Sequence, residues 1–392
     1  MRQNDPLSGV KEKTIPFSPF FQNIDLIRFV SAFVVCVSHI SAFFYIGRIQ
    51  NYQVIKHNSI LTSLTDLTPG VPAVVLFFII SGVCIHAPYS RGKNINILEF
   101  YTRRYIRIGI PFLLAYFSCI CITGSFSLDP IDVLWSLMCE AVFYALYPFL
   151  IFAMRFVGFS VVLAVSVMAS IALSSVPDDY GGQAWSYGPA LTWLLFLPIW
   201  LIGVAIAEKS ELAERLPRLF LGKAFAAAAA LTLLVLGALA VVAHFHFDIG
   251  PKYKTSSLLF AVPAAFFIFT MLSTNLSSSS VFRFLDRQGK WSYSLYLIHP
   301  LAKLVFVYGL VWSGIEHFTL INSLGITVAL ILFAFLVSYL FYLIVERPAH
   351  RLAKRLASRC AGLSDWVIES YPITWMPRRL LLSPTPATDE QR

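Results

Sequence analysis

"IDLIRFVSAFVVCVSHISAFF", residues 24–44, is almost unbroken apolar sequence of about the length needed for one membrane crossing, yet it holds Asp25, Arg28 and His39. An ionised side chain at the centre of a bilayer costs roughly 3 kcal/mol even on lenient insertion scales. Arg28 and His39 are eleven residues apart, which at 100° per residue returns them to nearly the same helical face, about 16 Å apart along the axis.

The rest of the chain has the same apolar character. Of 392 residues, 57% are hydrophobic and 13% charged, about half the charge of an ordinary soluble domain. The reading is an all-α polytopic membrane protein. "AFAAAAALTLLVLGALAVVAHF" (224–245) is the plainest spanning segment. Hydropathy places about ten spans near 24–45, 71–87, 108–124, 132–154, 157–175, 190–207, 222–243, 256–274, 291–312 and 322–345. No cleavable leader is expected, because the first apolar run starts beyond residue 20 and is interrupted by Arg28. The chain divides into an N-terminal arm (1–22), a transmembrane unit (23–348) and a C-terminal tail (349–392).

Loop charge orients this stack. With the N-terminus inside, 25 of the 30 Lys and Arg residues fall in cytoplasmic segments and 4 outside, with Lys303 within a span. Both termini are therefore expected in the cytoplasm. The net charge of +9 reads as topology rather than as a nucleic-acid footprint, and no nucleic-acid partner is expected. The six cysteines lie mostly in apolar runs without metal-ligand spacing and read as small core residues. "HFHFD" (244–248) looks metal-like but suits an interfacial aromatic belt better, so no metal is assigned.

Ionisable residues inside spans are functional hypotheses by default. Here they are Arg28, His39, Glu140, His299 and Lys303, with Glu346 and Arg347 at the inner end of the last span. His39 should sit about 9 Å below the outer surface and Glu140 at a similar depth. A carboxylate at that level could fix the tautomer of an imidazole and raise its basicity. Catalysis, a proton- or substrate-translocating pair, and plain interhelical hydrogen bonding all remain compatible with these residues. Arg103, Arg104 and Arg107 form a basic inner loop, with Arg103 and Arg107 on one helical face and able to bind phosphates.

Six motifs in order resemble the bacterial membrane-bound acyltransferase type 3 family, which includes O-antigen and exopolysaccharide O-acetylases. They are Arg28 with His39, "FFIISG" (77–82), "FYTRRYIRIGIP" (100–111), "WSLMCEAVFYALYP" (135–148), "WSYSLYLIHP" (291–300) and "VERPAHR" (345–351). The resemblance implies an O-acyltransferase of the bacterial inner membrane, moving an acyl group, usually acetyl, from cytoplasmic acetyl-CoA or another acyl-CoA. The acceptor would be a hydroxyl of a glycan, a lipid-linked glycan or another glycoconjugate. No permanently bound cofactor is implied, and the partners are acyl-CoA, the acceptor and membrane lipids.

On the same resemblance Arg28, Arg103, Arg104 and Arg107 would meet the donor's phosphates. His39 would act as general base or transient acyl carrier, with Glu140 orienting it. Ser81, Trp135, Tyr293, Tyr296 and His299 would line or position substrate, and Glu346–Arg347 reads as a structural clamp. Two positions depart from the pattern: His86 and Pro88 follow "FFIISG", and Met138–Cys139 leave Glu140 without a second carboxylate. The alternatives are acylation of a small metabolite and, from another class, a transporter or flippase. The latter would be expected to show an internal repeat, and none is evident.

Overall fold

The computed structural model describes residues 23–40, 68–90, 94–124, 133–176, 187–209, parts of 228–239, 253–273, 279–313 and 320–370. The main elements are α1 (Ile24–Ile40), α2 (Gly70–His86), α3 (Ile97–Thr123), α4 (Leu134–Val157), α5 (Phe159–Ser174) and α6 (Gly188–Glu208). They continue with α7 (Tyr253–Ser273), α8 (Ser280–Gln288), α9 (Ser292–Trp312), α10 (Leu320–Phe341) and α11 (Arg347–Ser370). Among the described residues all regular structure is helical.

Six helical segments are long and apolar enough to cross a membrane: Gly70–Tyr89, Ile97–Thr123, Leu134–Val157, Ala190–Glu208, Ser280–Leu310 and Leu324–Cys360. α5 and the Ser257–Leu272 part of α7 are shorter apolar helices. Every span expected from hydropathy coincides with one of these helices or with α1, except that at 222–243, most of which lies outside the described residues, as does "HFHFD". The outward faces are apolar, with Phe149, Phe152 and Phe156 on α4 and Leu332, Leu336 and Leu340 on α10 exposed. A bundle of this kind needs lipid around it, and the protein is a multi-pass membrane protein.

α2 and α6 make the most intimate crossing. A Cβ on Gly82 would lie 2.1 Å from the Trp200 carbonyl oxygen, and one on Gly203 would lie 2.0 Å from that of Ile79. The backbones touch, as small residues permit between membrane helices. This explains the glycine of "FFIISG" and brings Ser81 beside Trp200, whose indole N–H donates to Ser81 Oγ at 3.2 Å.

The start of α1 is held from several sides. The Leu26 amide donates to Asp286 Oδ1 of α8 at 3.1 Å, and Asn23 Nδ2 donates to the Met271 carbonyl of α7 at 2.7 Å. Gly289 lies against the Asp25 carbonyl, where a Cβ would come within 2.2 Å. Phe29, Trp291 and Phe335 form an edge-to-face aromatic cluster joining α1 to the foot of α9 and to α10. α1 therefore enters the bundle at a fixed angle.

The described part of the C-terminal segment is helical. A π-turn at Tyr342–Glu346 joins α10 to α11 without a break. α11 then packs extensively on α3 through Ala349, Ala353 and Ala357, a buried stripe at four-residue spacing. Thr102 on α3 reaches Cys360 Sγ at 3.6 Å. At least as far as Cys360, residues beyond 348 belong to the helical body.

Candidate active site

Five helices, α1, α2, α3, α4 and α9, surround a cavity that is partly open to the outside. One set of lining residues is cationic: Arg28 from α1, with Arg104 and Arg107 from α3. Glu140, Ser81, Ser136, Tyr144, Tyr293 and Tyr296 supply the neutral and acidic polar groups. Phe77, Phe78, Val74 and Ile80 from α2 complete an apolar side. A concave wall that joins an apolar side to convergent polar groups is a build that small-molecule sites use.

Each polar group reaches the cavity for a local reason. α3 begins at a capped N-terminus, where Asn96 Oδ1 accepts from the Glu99 amide at 3.1 Å. Further along this helix Arg104 and Arg107, three residues apart, share the inward face. Arg103 points elsewhere: it is half exposed and lies 4.0 Å from Glu99, outside the cavity lining. The sequence reading grouped Arg103 with Arg107 by their four-residue spacing; the inward pair is Arg104 with Arg107. Arg28 is itself only partly covered and lies 3.9 Å from Asp25.

Glu140 accepts from Ser81 Oγ at 2.7 Å and from the Tyr144 hydroxyl one turn further along α4. Ser81 also lies 3.3 Å from Tyr144 Oη. Trp200, Ser81, Glu140 and Tyr144 are thus one hydrogen-bonded group bridging α6, α2 and α4. Glu140 was expected to orient His39; the partners the structure gives it are Ser81 and Tyr144. Equal depth in a membrane leaves the direction around the helix open, and here that direction decides the partner.

His39 is not among the cavity-lining residues. Its Nδ1 lies 2.8 Å from the Val35 carbonyl, one turn back on α1. A carbonyl only accepts, so Nδ1 is the protonated nitrogen and Nε2 has the lone pair. The backbone of α1 thereby sets the tautomer that a general base requires. The Lys303 ammonium donates to the His39 carbonyl at 2.8 Å. The His39 ring contacts that of His299, with centroids 5.1 Å apart, and His299 contacts Tyr296 at 6.3 Å. Tyr296, which does line the cavity, thus links its wall to the histidine pair through His299.

Tyr296 is fixed by a 2.5 Å hydrogen bond with Ser136 Oγ. Tyr293 donates to the Ile108 carbonyl at 3.2 Å, tying α9 to α3. Trp135 does not line the cavity; it packs behind Phe78 against Phe196 and supports the wall. Glu346 is buried and accepts from the Ser294 amide at 3.2 Å and its hydroxyl at 2.5 Å, holding the start of α9, whereas Arg347 is exposed.

Four groups at or beside the site were missed in the sequence. Tyr144 and Ser136 stand inside quoted motifs, and the four-residue spacing of Glu140 and Tyr144 was a usable signal. Trp200 is found only through the close crossing of α2 and α6. Cys84 was read as core with the other cysteines, but it lines the cavity beside the arginines. His86, which departs from the resembled pattern, bridges Tyr147 Oη at 2.9 Å and Glu208 Oε2 at 2.8 Å, fastening α2 to α4 and α6. Among the described residues no group of three or more His, Cys, Asp or Glu side chains could hold a metal ion.

The described residues form a multi-pass helical protein with three arginines on one cavity and a histidine pair near it. A family model described as an acyltransferase domain matches residues 21–343, and the chain belongs to this acyltransferase 3 family. No curated protein and no solved structure matches it. The matched region contains all cavity-lining residues and both histidines of the pair, so the protein is a membrane acyltransferase.

Proposed function

We propose that the protein is an O-acyltransferase that takes an acyl group, most simply acetyl, from cytoplasmic acyl-CoA and transfers it to a hydroxyl of a cell-surface glycan or its lipid-linked precursor. The observation that carries this reading is the joint placement of Arg28, Arg104 and Arg107 on one cavity. Three guanidinium groups around a partly apolar space suit a polyanionic donor with a long uncharged arm. Both termini are taken as cytoplasmic from the loop charges, which puts Arg28 at the inner end of α1 and His39 at the outer end.

In this reading the donor's phosphates meet the arginines, and its thioester arm extends past Glu140 toward Tyr296. The acceptor hydroxyl gives its proton to His39 Nε2 while its oxygen attacks the thioester carbonyl carbon. The C–O bond forms, the C–S bond breaks, and the departing thiolate takes up the proton that His39 gained. Glu140 balances the arginine charge within the cavity and holds Ser81 and Tyr144 in place. Tyr296 must shift for the thioester and His39 to meet.

The test is to compare surface glycans by mass spectrometry from cells making the wild-type protein and cells making His39→Ala, with membrane insertion checked in both. The expected result is a loss of one acyl unit per modified residue in the variant. Retained acylation would overturn the mechanism. Transport of substrate without consumption of acyl-CoA would overturn the enzymatic reading altogether.

A further inference from the structure

The short helix α8, "SVFRFLDRQ" (280–288), stands at the foot of α1 and has two unlike sides. Its inner side is tied into the bundle. Asp286 accepts from the Leu26 amide in the first turn of α1, Gly289 stands against the Asp25 carbonyl, and Leu285 packs on the core. The Trp291 indole N–H donates to Gln288 Oε1 at 3.0 Å, and Gln288 Nε2 donates to the Phe284 carbonyl at 3.2 Å, which fastens the end of the helix. The outer side is bare. Val281 is 62% and Phe284 60% exposed, and Arg283, Arg287 and Lys290 are exposed beside them. At 100° per residue Val281 and Phe284 lie about 60° apart and Arg283 and Arg287 about 40° apart, and the two arcs adjoin at Phe284 and Arg287. The acidic side chain of the helix, Asp286, is the one turned to α1.

A helix with an apolar arc, a cationic arc and a third side fixed to protein fits the boundary between acyl chains and headgroups. Water alone would leave the apolar pair uncovered, and the bilayer centre would strand the arginines. Connectivity agrees: α8 leads directly into α9 and lies beside the start of α1, so it stands at one end of the spans. The loop charges assign that end to the cytoplasmic leaflet. We infer that α8 is an interfacial binding site for anionic phospholipid. Val281 and Phe284 sit among acyl chains, and Arg283 and Arg287 meet the headgroup phosphates. Charge selects this occupant, since the exposed ionisable groups of α8 and the turn after it are all cations. A second copy docked through the same face would set cation against cation.

The site stands independently of the acyl-transfer reading, and so does its test. Full-length protein with a photo-crosslinking benzoylphenylalanine in place of Phe284 is reconstituted in vesicles of equal parts phosphatidylcholine and phosphatidylglycerol. After irradiation the adducts are identified by mass spectrometry. The expected product is protein joined to one phospholipid, with phosphatidylglycerol favoured at least about fivefold, the weight of one basic residue near an anionic surface. Adding Arg283→Gln and Arg287→Gln should keep the lipid adduct and bring the preference to within about twofold of parity. Raising the salt concentration should lower the same preference with both arginines in place, which tests the charge without a further variant. Adducts to a second copy of the chain, or to no lipid, overturn the inference. A lipid adduct in plain proportion to the mixture, or a preference that survives both salt and loss of the arginines, overturns it as well.

Discussion

The two ends of α1 solve the problem of a polar group in a membrane in opposite ways. At Arg28 the side chain is left partly uncovered, faces an open cavity, and has other polar side chains around it: Asp25, Arg104, Arg107 and Glu140. At His39 one ring nitrogen is turned onto the helix's own backbone, and the neighbouring His299 is sealed from solvent. The first arrangement is ready for a ligand that brings negative charge. The second keeps one buried and one half-buried imidazole side by side. In the proposed reaction one helix thus joins a binding end to a chemical end.

The largest expected effect comes from breaking the chemical end. His39→Ala should lower acyl transfer from acetyl-CoA by about 10²- to 10⁴-fold, the usual weight of a positioned general base, with donor binding retained. Rate and donor affinity measured on the same membrane preparation would check this; equal losses in both would erase the distinction between the ends. Breaking the binding end should act on the other constant. Arg107→Ala is expected to raise KM for acetyl-CoA about 10- to 100-fold with a smaller change in kcat, consistent with loss of a charge-assisted contact. A fall in kcat alone would move Arg107 to the chemistry.

Two smaller effects sharpen the picture. Gly82→Ala leaves both ends of α1 untouched but drives a methyl group into the α6 backbone, and overpacking of this kind costs about 1–3 kcal/mol. Thermal unfolding in detergent should show it as a lowered Tm, and an unchanged Tm would mean that the crossing is looser than its geometry. Arg103→Ala should change KM for acetyl-CoA by less than about threefold, since exposed ion pairs contribute little and this side chain lies outside the cavity lining. An effect as large as that of Arg107→Ala would restore the sequence-based grouping.

Much of the fold could be read in advance because membrane helices announce themselves by length and apolarity, as α2, α4, α6 and α9 do. The polar residues brought to the cavity were also legible, since Arg28, Ser81, Glu140, Tyr293 and Tyr296 are conspicuous in or beside apolar runs. What escaped was azimuth and partnership. Depth along a span says where Glu140 lies but not which helix it faces, so Ser81 and Tyr144 could not be chosen over His39. Arg103 and Arg104 are adjacent, and only the packing of α11 on α3 tells which face turns inward. α11 itself looked like a tail because its alanine stripe is faint against its many charges.

The contact between Gly82 and Gly203 has a mechanical consequence. Two helices whose main chains touch have no side chains between them to act as a cushion, so they neither roll nor slide against one another without a clash. α2 and α6 therefore serve as a fixed post, and the aromatic face of α2 is its working surface. Any movement of the cavity wall that the proposed reaction needs has to be borne by the other helices that line it. The lever arm of the molecule is on that side, and an agent that wedges between α3 and α9 should jam it without touching an atom of the substrate.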